Sequence, residues 1–429
     1  MEVFKNKVIV NAIWITVGQV IELIIAFLFG ILITRYLSEG DNGNMNYAIT
    51  MMNVFLPFAT LSTSGVLTQK LVANKEKEGV YMGTLFVFRI VSGLLSSILM
   101  LIAIVILNPS NQIALVLGLL QTFSLIGNVF ELFSSWYNFK SQASKYVILR
   151  IVTCLLVSGY KAVILMQEKN VYWFSFSNTL DSLIISLLCL FFYKKHGGKK
   201  FVFSFHEGMD IVKRSSFFIF SSFCAGLLMQ VDKLIVKQYH GEVVFSHYYM
   251  ALYIGLMWGF VLKAMVESAR VSIAEAALQS DELFEKRMSQ LYSVVIWSGI
   301  AVCLGIVLLS PYLLVFLYGE NYRPSGIILA IVCWGVIFQY ITYARNIWLI
   351  EKNKNQYELV FYLIGIIITV CANFAFTPQY GIQATAWIFL FTQFAVAILL
   401  PLIFGGTRGS VKMLYQGFVL KHVRDSNRK

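Results

Sequence analysis

Charge is scarce in this sequence: Asp, Glu, Lys and Arg make up 13% of its 429 residues. Soluble domains carry about 25%. A chain so short of charge cannot cover a water-facing surface, which excludes a soluble enzyme, a nucleic-acid binder and a secreted scaffold. The six cysteines (Cys154, Cys189, Cys224, Cys303, Cys333, Cys371) each sit inside an apolar run, no two closer than 30 residues. That removes metal-ligand spacing and any disulfide framework, and they read as small buried hydrophobes. The five histidines are scattered, so no metal site is expected. There is no GxxxxGK[ST], hence no on-chain ATP hydrolysis, and no HExxH, GxSxG or TVGYG. No catalytic constellation and no cofactor are expected.

What is present is apolar. Hydrophobic residues reach 58%, aromatic ones 15%, and the mean hydropathy is +0.72. A hydrocarbon core of ~30 Å needs ~20 helical residues. Twelve runs qualify: 9–33, 46–68, 82–107, 112–136, 147–166, 171–193, 216–238, 245–268, 291–317, 325–350, 358–376 and 383–404. Asn108, Pro109, Ser110 and Asn111 mark a turn between the third and fourth. Lys5 and Lys7 precede a first run too long for a signal-peptide core, so it reads as a span rather than a cleaved leader. The expectation is an all-α membrane protein of twelve transmembrane helices.

The net charge of +12 is a matter of orientation, not of nucleic acid. Basic residues crowd alternate connections: Lys5 and Lys7, then Lys70 to Lys77, Lys140 to Arg150, Lys194 to Arg214, Arg270 to Arg287, Lys352 and Lys354, and the C-terminal tail with Lys421, Arg424, Arg428 and Lys429. The other connections hold only Arg35, Lys169 and Arg323. By the positive-inside rule both termini are cytoplasmic. The basic stretch Lys194–Lys200, with Gly197 and Gly198, reads as a hinge. It divides the chain into six-helix halves, 1–200 and 201–429. Residues 269–290 read as an amphipathic helix in an inner connection. A faint repeat pairs Tyr36 with Tyr239, Glu39 with Glu242 and Ala48 with Ala251. It supports two parallel repeats.

An ionisable residue inside a span is costly and marks a candidate site. Here these are Glu22, Arg89, Glu131, Lys161, Asp181, Asp232, Lys233, Lys263 and Arg345, with Lys237 and Glu267 close enough to span ends to snorkel. Polar stripes at helical spacing accompany them: Asn11, Gln19 and Glu22; Thr50, Asn53, Thr60 and Ser64; Gln121, Ser124, Asn128, Glu131 and Ser135; Ser175, Asn178 and Asp181; Gln339, Thr342 and Asn346. Stripes in both halves suggest a shared wet cavity; interhelical packing is the plainer alternative. Asp232 and Lys233 point about 100° apart and need separate partners. Pro57, Pro311 and Pro401 lie within spans, where kinks serve as hinges or accommodate tilt.

Four blocks resemble one family. MQVDKLIVKQYHGEVVFSHYYMA (229–251) looks like the seventh-to-eighth span signature of polysaccharide exporters, with Asp232, Lys233, Gly241, Tyr248 and Tyr249. ITRYLSEGDNGNMNYAI (33–49) is similar to the first-loop pattern, with Tyr36, Leu37 and Gly43. YGENYRPSGIILAI (318–331) and QYGIQATAWIF (379–389) resemble later connections. Together they resemble a Wzx-type flippase of the multidrug/oligosaccharidyl-lipid/polysaccharide exporter superfamily. The resemblance implies two six-helix bundles in a V-shaped alternating-access transporter of the bacterial inner membrane. It implies an undecaprenyl-pyrophosphate-linked oligosaccharide as cargo for O-antigen, capsule or exopolysaccharide synthesis. It also implies proton or sodium coupling, with a polymerase and a chain-length regulator as partners beside membrane lipid.

On that resemblance Arg89, Lys161, Lys233, Lys263 and Arg345, with Asn53, Asn128 and Gln339, form the expected substrate-binding set. Glu22, Asp181 and Asp232 are the expected ion-coupling set. The five bases nearly balance the acids Glu22, Glu131, Asp181 and Asp232, so a strongly cationic cavity is not expected, a departure from the pattern. A cation-coupled multidrug antiporter of the same superfamily is the alternative. A polymerase or glycosyltransferase is disfavoured, because every outer loop is short and no catalytic constellation exists.

Overall fold

The computed structural model describes residues 2–420, with side chains from Trp14 onward. The side chains of Lys5, Lys7 and Asn11, and all of Lys421, Arg424, Arg428 and Lys429, lie outside the described residues. Among the described residues there are helices and turns and no strand. Ten helical segments are long and apolar enough to cross a membrane. Two of them, Phe205–Gln279 and Gln356–Ile403, have 75 and 48 residues, more than one crossing uses. Each turns at a glycine in the left-handed region, Gly241 (φ 76°) and Gly381 (φ 66°), where a Cβ would be strained. With those breaks the ten segments carry the twelve apolar runs of the sequence, and the protein is an all-α multi-pass membrane protein.

Two compact units form, Met1–Gly226 and Leu227–Lys429. The first contains α1 (Glu2–Tyr36), α2 (Glu39–Thr60), α3 (Ser64–Ala73), α4 (Glu78–Leu107), α5 (Gln112–Gly127), α6 (Leu132–Phe139), α7 (Ala143–Met166), α8 (Val171–Lys195) and nearly all of α9 (Phe205–Leu228). The expected boundary at 200/201 and this division are separated by one helix, α9. Its first turn and the connector before it are tied to the rest of the first unit by contacts remote in sequence. Val202 N donates to Gly79 O (3.1 Å), and Ser204 N donates to Thr84 Oγ1 (3.0 Å). The connector runs so close to α4 that a Cβ on Gly79 would lie 2.3 Å from Lys200 O, and one on Gly83 2.8 Å from Val202 N. Beyond it, Glu207 accepts from Lys70 (2.7 Å) and Lys77 (2.8 Å), and Asp210 pairs with Lys70 (2.7 Å). The hydrogen bonds from Lys70 and Lys77 hold the Glu207 carboxyl below its ordinary range.

Why these segments sit in lipid is plain on α4. Its exposed face is Val87, Val91, Leu94, Leu95, Ile98 and Ile102, while its buried face carries Arg89, Gly93, Ser96 and Ser97. Small and polar groups turn inward, where helices approach closely and hydroxyls find acceptors, and branched aliphatics turn out. Helix starts are capped by side chains: Ser38 accepts from Asp41 N (3.1 Å), Asn111 from Ala114 N (2.9 Å) and Ser280 from Leu283 N (3.2 Å).

The second unit contains α10 (Val231–Met257), α11 (Gly259–Gln279), α12 (Asp281–Tyr318), α13 (Ser325–Glu351), α14 (Gln356–Phe394), α15 (Leu400–Ile403) and α16 (Arg408–Phe418). Residues 269–290 are not a separate amphipathic helix. They are the end of α11 and the start of α12, divided by the cap Ser280, and Ile273 and Phe284 are buried in the core with Met288, Tyr292, Val336 and Trp348. Pro401 follows a wide π-helical turn, Ala395–Leu399. Of the cysteines, four are buried, Cys154 is half-buried and Cys371 is exposed. Lys237 is buried and paired with Glu242 (2.8 Å) instead of snorkelling.

Candidate functional site

The first unit has an open-sided cavity of about 890 Å³, within the range of small-molecule sites. Its walls are single faces of α1, α5, α6, α7 and α8, with a few residues from α2 and α3. The α7 face shows how register builds it. Tyr146, Arg150, Cys154, Ser158 and Lys161 follow one another at steps of three and four, and all line the cavity. Arg150 and Lys161 are eleven residues apart, so they share a face about 16 Å apart along the axis.

Arg150 ties three helices. Its Nη1 donates to Asp181 Oδ2 on α8 (3.0 Å), and its Nη2 donates to Glu22 Oε2 on α1 (3.2 Å). Nε reaches Glu22 Oε1 at 3.4 Å, so the guanidinium faces that carboxylate with two donors. Glu131 lines the same cavity. Lys161 also lines it; among the described residues its ammonium has no hydrogen bond or ion pair, and Asp181 acts on it only through space. Three carboxylates thus face two bases, one of them already engaged. Amides and hydroxyls fill the rest: Gln19, Ser124, Asn128, Ser135, Asn138 and Asn178. Ser124 is 4% exposed, and its Oγ has no hydrogen-bond partner among the described residues.

The cavity therefore gathers four of the expected site residues: Glu22, Asn128, Lys161 and Asp181. Arg89 does not line the cavity but is fully buried behind its wall, donating to Thr63 Oγ1 (2.9 and 3.1 Å) and to Oγ of the lining Ser64 (3.2 Å), with the lining Glu131 acting on its charge. Asn53 is half-buried and does not line the cavity. In the second unit, Asp232 is buried, accepting from Tyr248 Oη (2.6 Å) and Lys233 N (2.8 Å). The Lys233 ammonium turns away to Met229 O and Gln230 Oε1, both 2.9 Å. Gln339 Nε2 meets Met229 Sδ at 3.2 Å, and Lys263 is exposed. Arg345 is buried and donates to Ala397 O (2.7 Å) and Val396 O (2.9 Å), carbonyls of the wide turn before Pro401. Its guanidinium stacks on Phe361 at 5.2 Å.

The residue that sequence reasoning passes over is Arg150. It counts there among the inner-side cations because Lys140 and Lys145 precede it. The signal that finds it is its register with Cys154, Ser158 and Lys161 inside the fifth apolar run. No group of three or more His, Cys, Asp or Glu poised for a metal occurs among the described residues.

Comparison with known proteins places this architecture. The capsular polysaccharide biosynthesis protein CapF of Staphylococcus aureus is 20% identical over 402 residues, covering 90% of this chain and 97% of CapF. The lipid II flippase MurJ in an inward closed conformation has the same fold, with TM-score 0.71 at 14% identity, covering 97% of this chain and 92% of MurJ. So does an outward-facing multidrug resistance MATE family transporter of the MOP superfamily, with TM-score 0.66 at 13% identity and 96% of each chain covered. A family described as polysaccharide biosynthesis protein matches residues 8–270. That match spans more than half of the sequence and takes in every wall of the cavity, and the chain belongs to the polysaccharide biosynthesis protein family.

Proposed function

We propose that this protein is a flippase that moves an undecaprenyl-pyrophosphate-linked oligosaccharide repeat unit from the inner to the outer leaflet of the bacterial cytoplasmic membrane. The polymer is an O-antigen, capsule or other exopolysaccharide, and both termini are cytoplasmic. The observation that carries the reading is the polar cavity inside an apolar helical unit. A sugar hydroxyl stripped of water without a partner costs several kcal/mol, and an oligosaccharide has many. A wall of amides, hydroxyls and carboxylates replaces those lost hydrogen bonds, while the lipid tail stays in hydrocarbon.

The chain's own residues then divide the work. Arg89, Lys233 and Arg345 donate to neutral acceptors and position helices, with Arg89 Nη1 and Arg345 Nε left without an acceptor among the described residues. Lys161 and Lys263 are the bases left to meet pyrophosphate, and Asn128 meets the sugar. Glu22 and Asp181 share Arg150, so a proton or sodium ion on either carboxylate loosens its hold on α7; this is the coupling step. Asp232, bonded to Tyr248, supports the second unit. A polymerase and a chain-length regulator act downstream.

The test is a strain lacking the protein. A complete lipid-linked repeat unit should accumulate on the cytoplasmic leaflet, with surface polymer lost. Repeat units on the outer leaflet, left unpolymerised, would point to a polymerase instead. The second reading is a cation-coupled multidrug antiporter, favoured by the excess of carboxylates in the cavity. It requires an unchanged lipid pool and increased drug susceptibility in the same strain.

A further inference from the structure

The cavity wall carries information about the cargo's sugars. Three carboxylates, Glu22, Glu131 and Asp181, face it against Arg150 and Lys161. Arg150 is held by two of those carboxylates at 3.0 and 3.2 Å and offers little free positive charge. Arg89 lies behind the wall, bonded to the lining Ser64 and acting on Glu131, so the charges balance and the cations beside the carboxylates are already engaged by them. A uronic acid, a sialic acid or a phosphate substituent would meet those carboxylates with little free positive charge to receive it, where low dielectric strengthens repulsion. Ionised carboxylates are acceptors only, and sugar hydroxyls are donors, so the same wall suits uncharged sugars. Ser124, buried with a free Oγ, and the amides of Gln19, Asn128, Asn138 and Asn178 add donors and acceptors for hydroxyl and acetamido groups. One cation has no hydrogen bond or ion pair among the described residues: Lys161, about 16 Å along α7 from Arg150, with the Asp181 carboxylate acting on it only through space.

We infer that the repeat unit carries no net negative charge in its sugars, being built of neutral or amino sugars, and that Lys161 is the contact for the single anionic group, the pyrophosphate linker. This rests on the flippase reading. The wall and the lysine then perform different tasks. The carboxylate-rich half selects the sugar by charge and hydroxyl pattern. The lysine engages the anion common to every cargo of this lipid class.

Two measurements test it. Mild acid releases the saccharide from the lipid-linked pool of the deletion strain, and the product is run on an anion exchanger at neutral pH. Passage unretained is the expected result. A retained, acidic saccharide overturns the inference and leaves the flippase reading standing. Absence of any accumulated lipid-linked saccharide removes the flippase reading, and the inference with it. In complemented cells with matched protein levels, K161A should lower surface polymer at least tenfold and K161R should restore most of it. Undiminished polymer in K161A overturns the role given to Lys161.

Discussion

Replacing Arg150 by Leu removes the tie between α1, α7 and α8 and leaves Glu22 and Asp181 facing one cavity without a cation between them. The side chains of Arg150, Glu22 and Asp181 are 27%, 29% and 31% exposed, so neither limiting case applies. Fully exposed pairs contribute about 0.2–1 kcal/mol. Removing one partner of a fully buried pair costs about 3–5 kcal/mol. Each of the two pairs here should therefore contribute about 1–2 kcal/mol, and R150L should cost about 2–4 kcal/mol in all. For a domain of this size each kcal/mol moves the melting midpoint by roughly 2–4 °C. The assay is thermal unfolding of the full chain in lipid nanodiscs. A double-mutant cycle adds the decisive reading: E22Q should be costly beside Arg150 and nearly neutral beside Leu, with a coupling of about 1–2 kcal/mol. R150K, which keeps the charge and loses the two-donor fork, should fall between. A wild-type melt for R150L, or an E22Q effect that is the same in both backgrounds, would refute the reasoning.

The remaining predictions concern parts outside the cavity. R345M breaks two charge-assisted bonds to Val396 O and Ala397 O and should cost about 3–5 kcal/mol, read as the same thermal shift. G83A drives a Cβ to within 2.8 Å of the Val202 backbone and should lift the connector, so trypsin cleavage at Lys199 and Lys200 accelerates. G65A is the control, since a Cβ there meets nothing within 4 Å. Glu207 has a depressed folded pKa, set first by its bond to Lys70. Its contribution is therefore present above its ordinary value of 4.5 and lost as pH falls through the lower folded value. Between about pH 5 and 3 the wild-type melting temperature should fall more steeply than that of E207Q.

How much of this was legible in the sequence follows from the range of each interaction. Spans were legible because hydropathy over ~20 residues is a local property, and so was the turn at Asn108–Asn111, which does cap α5. The glycine turns at 241 and 381 fall between apolar runs and could be placed from run ends alone. The ties of the connector could not. They join Lys70 and Lys77 to Glu207, and Gly79 to Val202, across more than a hundred residues, with no spacing rule to betray them. The end of α11 failed for a different reason. Apolar residues at helical spacing around Ile273 and Leu283 fit one amphipathic helix or two consecutive helices equally well. Only the cap at Ser280 decides.

Charged residues in the spans show why the site was the harder part. The twelve apolar runs hold three arginines, Arg89, Arg150 and Arg345, of different chemistry. Arg89 donates to the hydroxyls of Thr63 and Ser64, and Arg345 to backbone carbonyls, contacts that fix helices, although Arg89 Nη1 and Arg345 Nε find no acceptor among the described residues. Arg150 is paired with carboxylates on a cavity wall, partners on separate helices that are about 30% exposed. An intramembrane cation is therefore not a site by virtue of its charge. Its role follows from whether its partners are exchangeable and whether a cavity adjoins them. By that criterion the proposed contact for an incoming anion is Lys161, which has no hydrogen bond or ion pair to give up among the described residues, and the proposed switch is Arg150, which has two ion pairs.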